Sequence, residues 1–297
     1  MVISKKQKVF LVIIHIVLIL MALIMVLPFV LLFLCSLTDE ATLVLNGYSF
    51  FPAKFSLAAY EYLINSGGKI IRAYGMTFAI TIVGTILNTL LSSLLAYGLS
   101  LKGLPGRKIL SFLVFFTMLF NGGLVPTYLW YSTYLHITDT FFALVIPQFL
   151  MSAMNVIMIR TFFQNSIPTA LYEACKIDGG GHWLIYRKIV LPLGKPILVS
   201  MGLFAGLAYW NDWTNGLYYI NVNKDLWGIQ SLLNQMITNI QYLSQNAQAA
   251  SNVDMANLPS TAVRMAIAFV GILPVLIVFP FLQKYFAKGI AVGAVKG

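Results

Sequence analysis

The chain has 297 residues, of which 59% are hydrophobic and only 9% are charged, whereas soluble domains average roughly 45–50% apolar and about 25% charged residues. This composition excludes an ordinary soluble enzyme and indicates a chain whose natural solvent is lipid. The meaning of the net charge of +10 then depends on where the few charged residues lie.

Six apolar stretches are long enough for a helix to cross the hydrocarbon core of a bilayer, which takes about 20 residues. Lys195 is the one charged residue inside them. Because unpaired backbone amides are not tolerated in lipid, the sequence predicts an all-α, polytopic membrane protein with six transmembrane helices. In chain order the spans are Val9–Leu37, Gly75–Leu101, Ile109–Tyr131, Phe141–Ile159, Leu191–Asn211 and Met265–Leu282.

The ends and the connections carry the basic residues. Residues 1–8 look like the start of a secretory signal peptide, but the apolar run that follows is longer than a signal core of 7–15 residues, so it is kept as a helix. Most of the 19 lysines and arginines lie at the two termini, between spans two and three, or between spans four and five. Since cytoplasmic segments carry the excess of Lys and Arg, both termini are predicted to be cytoplasmic.

The connection between spans four and five, residues 160–190, predicts a short helix and a sharp turn. Pro168 suits a first helical turn, Ser166 is a candidate N-cap, Ala170–Ile177 are mostly good helix formers, and three glycines then end the helix. A second amphipathic piece, Trp183–Leu191, leads to Pro192. From periodicity alone this is either an interfacial helix-turn-helix on the inner leaflet or a docking helix for a cytoplasmic partner.

The spacing of this loop resembles a known motif. Glu173-Ala174-Cys175, then Gly179, then Ile189-Val190-Leu191-Pro192 resembles the EAA loop of ATP-binding cassette (ABC) importer permeases, with Cys175 in place of an alanine. Trp210–Trp213, Leu217–Ile220 and the tail Gln283–Gly297 resemble the carbohydrate branch, in the short maltose-type subunit. Asn121–Tyr128 is similar to Gram-positive permeases for oligosaccharides or polysaccharide fragments.

The resemblance implies a type I ABC importer permease in a bacterial cell membrane, with a cytoplasmic coupling helix that sits in a cleft of an ATPase. The implied partners are a second, homologous permease subunit, two ABC ATPases, an extracellular solute-binding protein, an oligosaccharide and the lipid bilayer, with no nucleic acid. The implied docking residues are Glu173, Ala174, Cys175, Asp178, Gly179, Leu191 and Pro192.

The chain is expected to hold no cofactor and no catalytic site, with ATP and Mg on the partner ATPase. A phosphate loop needs G-x4-G-K-[ST], whereas Gly194-Lys195 has Ile189 where the first glycine belongs and Pro196 where the hydroxyl belongs. An intramembrane enzyme is disfavoured because His15, His136 and His182 are scattered and the spans contain no Asp or Glu. No metal site is predicted.

Polar and aromatic residues at the ends of spans suggest where a sugar passes. Asn121 precedes two glycines and Pro126, which should kink the third span, and irregular backbone at membrane depth is tolerated mainly where it lines a cavity or is buried. Each candidate also has a structural reading, as interhelical hydrogen-bonding residues or as an aromatic belt. The candidates for the substrate pathway are Asn121, Asn155, Trp210, Asn211, Asp212 and Trp213.

The expected organisation has three parts. Residues 1–74 are the N-terminal helix and first external loop, residues 75–282 are the core permease domain with the coupling loop 160–190 and the external loop 212–264, and residues 283–297 are a cytoplasmic tail. The amide-rich outer stretch Leu217–Pro259 is either a spacer or a contact for the binding protein. The tail is either a frayed end or, as the resemblance implies, inserts between the ATPases.

One function from a different class remains as an alternative, namely an ion-coupled secondary transporter or a channel subunit. Ion-coupled carriers usually place ionisable groups near the bilayer midplane. The predicted spans hold none except Lys195, which lies near the end of its span.

Overall fold

The computed structural model describes residues 5–65, 67–245 and 260–294, and within these ranges the chain is helical apart from connecting turns and one isolated bridge between Thr38 and Phe55. The all-α class predicted from the sequence is confirmed. In chain order the helices are α1 (Lys5–Ser36), α2 (Glu40–Asn46), α3 (Ala58–Asn65), α4 (Gly67–Ser100), α5 (Arg107–Leu119), α6 (Leu124–Leu129), α7 (Phe142–Val145), α8 (Ala153–Ser166), α9 (Thr169–Ile177), α10 (His182–Ile185), α11 (Leu191–Leu193), α12 (Lys195–Trp210), α13 (Thr214–Tyr219), α14 (Ile229–Gln245) and α15 (Ser260–Ala294). Short π-helical turns lie at Trp130–Tyr134 and Tyr186–Val190, and a 3₁₀ turn lies at Lys224–Leu226.

Three helical segments are long and apolar enough to cross a membrane, and they correspond to the first, second and sixth predicted spans. They are Lys6–Ser36, Gly68–Ser100 and Thr261–Val278. Two further helix pairs qualify only when each pair is taken together, and both are bent, by 117° between Arg107–Leu119 and Leu124–Tyr134 and by 79° between His182–Leu193 and Lys195–Trp210. By length and composition, the described residues thus give three spans, or up to five if each bent pair is one span, and the predicted count of six is not confirmed.

The bend in the third predicted span lies at residues 120–123, directly after α5. Gly123 has a φ of 88°, a conformation that glycine adopts readily. Its backbone amide donates a hydrogen bond of 2.9 Å to the side-chain oxygen of Asn121. The kink expected from the paired glycines and Pro126 is therefore present, and it divides the predicted helix into α5 and α6.

The fourth predicted span, Phe141–Ile159, is not a continuous helix. Helix α7 ends at Val145, Gln148 has a φ of 65°, and α8 starts at Ala153 and continues to Ser166. The unwound backbone of residues 146–152 persists because side chains from elsewhere in the chain satisfy carbonyl oxygens at the break. These bonds are Tyr209 Oη to the carbonyl of Val145 at 2.8 Å, Asn215 Nδ2 to that of Pro147 at 3.2 Å, and Asn88 Nδ2 to that of Phe149 at 2.6 Å.

One compact unit comprises Met1–Gly68 and Gln235–Pro274. In this unit the carboxylate of Glu40 accepts hydrogen bonds from the backbone amides of Thr261 and Ala262, each at 2.8 Å to its nearer oxygen. A carboxylate at a helix N-terminus satisfies amides that have no partner within the helix. The rings of Phe33 and Phe269 also pack, with centroids 4.7 Å apart. Side chains on α1 and α2 thus hold the first turns of α15.

The second unit comprises Lys69–Asn234 and Val275–Gly297, and it contains two buried apolar clusters. One is built around Ile159, Phe163 and Tyr186, and the other around Tyr209 and Tyr219. Helices α4 and α12 approach closely between these clusters, because Gly202 and Gly206 face the side chains of Thr85 and Thr89. Small residues at such a crossing allow helices to pack tightly in a membrane.

Parts of the predicted external loop and tail lie outside the described residues. The amide-rich stretch Gln241–Gln248 begins within α14, but residues 246–259 are outside the described part of the chain. The predicted tail begins within α15, which extends to Ala294, and residues 295–297 are likewise outside. The division into residues 1–74, 75–282 and 283–297 stays a prediction.

Candidate functional site

Helix α9, which we call the coupling helix, occupies Thr169–Ile177, within one residue of the predicted Ala170–Ile177. The predicted N-cap is wrong, because Ser166 is the last residue of α8 and Pro168 occupies the cap position without a side-chain hydrogen bond. Pro168 has a φ of −61° and an extended ψ of 132°. The proline therefore separates α8 from the coupling helix, since it cannot continue a helix through its missing amide.

The coupling helix ends in a Schellman motif. Gly179 has a φ of 82°, its amide donates to the carbonyl of Lys176 at 3.0 Å, and the amide of Gly180 donates to the carbonyl of Cys175 at 2.7 Å. These are the two bonds that define the motif. A Cβ on Gly180 would overlap Sγ of Cys175. The turn therefore needs a positive φ at Gly179 and an empty side-chain position at Gly180, a residue that the sequence did not single out.

Two residues of the coupling helix face the protein interior. Tyr172 and Cys175 are partly buried and pack against the cluster that contains Phe163 and Tyr186. Within the described part of the chain, the Tyr172 hydroxyl is buried without a hydrogen-bond partner, and burial raises the pKa of Tyr172 to about 12. Tyr172 therefore attaches the helix to the core by packing.

The remaining face of the coupling helix is accessible. Glu173, Ala174 and Asp178 are exposed, and so are two apolar side chains, Leu171 at 41% and Ile177 at 86% of their possible surface. Exposed apolar residues next to acidic residues are typical of a protein contact surface. A surface of this composition can bind a partner with an apolar groove and a basic group.

The second arm of the loop is attached to the same core. Leu191 and Ile189 pack partly buried against the cluster that Cys175 contacts, whereas Pro192 is exposed. The structure therefore brings Cys175 and Leu191, two of the predicted docking residues, against one cluster, although they are far apart in sequence.

Two hydrogen bonds to α4 hold this arm, and sequence reasoning missed them. The hydroxyl of Tyr186 lies 2.7 Å from that of Ser93, and the hydroxyl of Tyr97 lies 3.2 Å from Nδ1 of His182. Tyr186 is almost fully buried, so its hydroxyl needs such a partner. In the sequence, Ser93 is one polar residue of the second span, and nothing near it indicates that Tyr186 is its partner.

Asn121 and Asn155 occupy different environments. Asn121 is exposed in the break between α5 and α6. Asn155 is buried, and its side-chain amide donates to the side-chain oxygen of Asn88 at 2.9 Å. The arrangement leaves Asn121 accessible to a ligand, while Asn155 holds α8 against α4.

The other four pathway candidates form the corner between α12 and α13. Trp210 is buried with its ring edge-on to Phe78 at 5.2 Å, Asn211 is exposed, and Trp213 is 40% exposed. Oδ1 of Asp212 accepts hydrogen bonds from the amide and hydroxyl of Thr214 and from the amide of Asn215, at 3.0, 2.7 and 3.2 Å. Burial raises the pKa of Asp212, and these hydrogen bonds offset the rise only in part.

In the described part of the chain, no group of three or more His, Cys, Asp or Glu side chains is arranged to hold a metal ion.

Known proteins are similar to this chain over nearly its whole length. Residues 98–292 match the family described as "Binding-protein-dependent transport system inner membrane component". The chain is 39% identical to the polygalacturonan/rhamnogalacturonan transport system permease protein YtcP of Bacillus subtilis (strain 168), over 98% of this chain and 100% of that protein. It is 36% identical to protein LplC of the same organism, over 92% of this chain and 90% of that protein.

A sugar permease of another organism and a solved structure also match. The chain is 27% identical to the arabinooligosaccharides transport system permease protein AraQ of Halalkalibacterium halodurans, over 93% of each chain. The fold is similar to a chain in the crystal structure of a bacterial ABC transporter involved in the import of the acidic polysaccharide alginate, with a TM-score of 0.79 and 27% sequence identity. That likeness covers 96% of this chain and 99% of the other.

Proposed function

The chain belongs to the family of binding-protein-dependent transport system inner membrane components, and we propose that it forms half of the translocation pathway of an ATP-driven importer for oligosaccharides or complex glycan fragments. Family membership and relatives make it a permease subunit of a sugar or polysaccharide ABC importer, embedded in the membrane by several apolar helices. The resemblance noted in the sequence is confirmed. Such subunits are not enzymes, because a separate subunit hydrolyses ATP.

The coupling helix is the proposed docking site for the ATPase. The observation that carries this proposal is the exposed face of Leu171, Glu173, Ala174 and Ile177 on a helix bounded by Pro168 and the Schellman turn. Glu173 supplies a charge for a basic group of the ATPase, Ala174 and Cys175 allow close approach, and Asp178 and Gly179 close the helix. Leu191 and Pro192 transmit movement of the helix to α12.

The assembly that we propose contains a second, homologous permease subunit, two ABC ATPases that bind ATP and Mg, and an extracellular solute-binding protein. Both termini face the cytoplasm in this arrangement, as the distribution of basic residues favours. The two bent helix pairs and the broken segment around Gln148 complete the crossings beyond the three continuous spans. The tail that begins at Gln283 approaches the ATPases.

The substrate is proposed to be an oligosaccharide or a fragment of a complex glycan. Relatives include a permease for polygalacturonan and rhamnogalacturonan, one for arabinooligosaccharides, and an importer of alginate. Asn121 and the corner Trp210, Asn211, Asp212 and Trp213 offer amides and aromatic rings of the kind that bind sugars. Asn155 is a further candidate, and its side chain is buried against Asn88.

Reconstitution tests this function against the ion-coupled carrier. The chain is co-expressed with its partner permease and ATPase, and uptake of oligogalacturonate and arabino-oligosaccharide is measured in proteoliposomes with the binding protein outside. ATP inside the vesicles should drive uptake, and a non-hydrolysable analogue should stop it. Uptake that follows an ion gradient without ATP hydrolysis would overturn the proposal.

A further inference from the structure

A large basic cavity lies beside the coupling helix, on the side of Thr169, Tyr172, Glu173 and Lys176. Its volume is about 730 Å³, enough for a polar headgroup with its water shell, since ligand pockets span roughly 300–1,000 Å³. The other walls come from the connection between α4 and α5 and from the last turn of α8. The described lining includes Ser100, Lys102, Arg107, Phe163, Gln164 and His182.

The cavity lies where apolar helices end. Ser100 is the last residue of the candidate span Gly68–Ser100, and Arg107 begins α5. Nε of Arg107 donates to the carbonyl of Leu99 at 2.9 Å, and Nε2 of Gln164 reaches the carbonyl of Ser100 at 3.4 Å. These bonds tie the three helix ends together. The opening therefore lies at the boundary of the hydrocarbon region, with the coupling helix as its outer wall.

An exposed apolar face continues from the cavity along α5. Leu110 is 42% exposed and Met118 47%, and with Val114 between them they follow Arg107 at the i+3, i+7 and i+11 spacing of one helix face. Acyl chains can lie along such a face while a polar headgroup stays at its basic end. A soluble anion would gain nothing from this stripe, so the stripe favours a lipid.

The charges in the cavity are unbalanced. Lys102, Arg107 and Lys176 line it against one carboxylate, Glu173. One turn before Gln164 on α8, Nε of Arg160 is buried with no hydrogen-bond partner in the described structure. Basic pockets between membrane helices on the cytoplasmic side bind acidic headgroups, and guanidinium and ammonium groups bond phosphate oxygens strongly.

We propose that this cavity binds the phosphate headgroup of an anionic phospholipid, with its acyl chains along α5. Lys102 and Arg107 hold the phosphate, and the lipid lies between the membrane helices and the coupling helix. The proposal rests on the membrane location of the chain and not on docking of the ATPase, so either can fail without the other.

The test uses the full importer in nanodiscs of phosphatidylcholine that contain a small fraction of phosphatidylglycerol. Native mass spectrometry counts the phosphatidylglycerol molecules retained after detergent exchange, for wild type and for Lys102→Gln. Removing one basic residue near a lipid phosphate should weaken retention about fivefold. Lys108→Gln is the matched control, because Lys108 is exposed in the first turn of α5 but does not line the cavity.

Three outcomes overturn the proposal. If wild type and Lys102→Gln retain the same number of phosphatidylglycerol molecules, the cavity does not bind the lipid. Lys102→Gln could reduce retention of phosphatidylglycerol in the isolated permease pair but not in the complex with the ATPase. In that case an acidic segment of the ATPase fills the cavity instead. If glycerol phosphate binds the importer in pure phosphatidylcholine nanodiscs with the same dependence on Lys102, the cavity takes a soluble phosphate. A Lys102→Glu variant, which adds repulsion at an exposed position, should lose the lipid completely while the importer remains assembled.

Discussion

The side-chain amide of Asn155 on α8 donates a hydrogen bond to the side-chain oxygen of Asn88 on α4 over 2.9 Å. Asn88 in turn donates to the carbonyl oxygen of Phe149 at 2.6 Å, inside the unwound segment between α7 and α8. The pair forms a relay that links two helices to an irregular stretch of backbone. Hydrogen bonds of this kind within membrane proteins contribute about 0.6 kcal/mol on average and up to about 1.7 kcal/mol.

We expect Asn155→Leu to lower the thermal stability of the importer by about 1 kcal/mol, because the oxygen of Asn88 loses its donor in a buried site. The apparent Tm of the purified complex and the KM of uptake are measured together. Thr161→Val is the control, since Thr161 is exposed on the same helix. A raised KM at unchanged Tm would instead support direct contact between Asn155 and the sugar, as the sequence suggested.

Gly179 provides a test of the Schellman turn. Its φ of 82° costs other L-residues about 1–2 kcal/mol, and a β-branched side chain is the least tolerated. Gly179→Val should therefore reduce substrate-stimulated ATPase activity of the complex without reducing the amount of permease in the membrane.

Two matched variants make this test specific to the turn. Gly179→Asn should retain most of the stimulation, because asparagine tolerates the left-handed conformation. Gly181→Ser should be neutral, since Gly181 has a φ of −78° and precedes α10 at a position where serine is a good cap. Equal activity in Gly179→Val and wild type would show that the turn is not needed for coupling.

Glu173 should carry the charge that docks the ATPase. Reversing it in Glu173→Lys should leave the chain inserted but weaken docking by about 2 kcal/mol or more, which is more than about tenfold. Substrate-stimulated ATPase activity and co-purification of the ATPase are the measurements. Glu61→Lys makes the same reversal at an exposed residue of α3 and should leave co-purification intact. Unchanged stimulation in Glu173→Lys would reject the docking proposal.

The coupling helix could be predicted from sequence because its determinants are local. Pro168, the run to Ile177 and the glycines from Gly179 onward fix its length, and only the cap was wrong, since the preceding helix continues to Ser166. The same holds for the kink after Asn121, where neighbouring glycines carry the signal.

The break in the fourth predicted span is only partly a local feature. Pro147 disfavours a continuous helix there, but the unwound backbone depends on Tyr209, Asn215 and Asn88. They satisfy the carbonyls of residues 145, 147 and 149 from more than 50 residues away, and no local pattern records such partners. The basic cavity is equally non-local, because Lys102 and Lys176 meet there only through folding.

Among the pathway candidates, Asn121 is more accessible to a substrate than Trp210, because Asn121 is exposed while Trp210 is buried against Phe78. Asn121→Ala should weaken uptake while leaving basal ATPase activity unchanged. Asn121→Asp keeps the oxygen that accepts from the amide of Gly123 but removes the amide donor. If Asn121 binds sugar through that donor, both variants lose uptake.

Restoration of uptake by Asn121→Asp would show that Asn121 only shapes the turn. Trp210→Ala should also weaken uptake, although the cavity it leaves costs stability as well, typically 3–5 kcal/mol for an aromatic residue. Normal uptake by both alanine variants would remove Asn121 and Trp210 from the pathway.

The raised pKa of Asp212 predicts that the stability of the folded chain depends on pH. Burial raises the pKa of this carboxyl above its ordinary value of 3.8, so the folded state binds its proton more tightly than the unfolded state does. The stabilising contribution of Asp212 is therefore complete below pH 3.8 and is lost as the pH rises through the folded pKa. At neutral pH the buried charge reduces the stability of the corner between α12 and α13.

Asp212→Asn should therefore raise the apparent Tm of the complex at neutral pH, since asparagine keeps an acceptor for the amides of Thr214 and Asn215 without the charge. The gain should shrink as the pH approaches 3.8. Asp225→Asn is the control of opposite sign, because Asp225 is exposed and paired with Arg72, so its loss should lower the Tm slightly or not at all. A lower Tm for Asp212→Asn at neutral pH would mean that the hydrogen bonds to the charged carboxylate outweigh its burial.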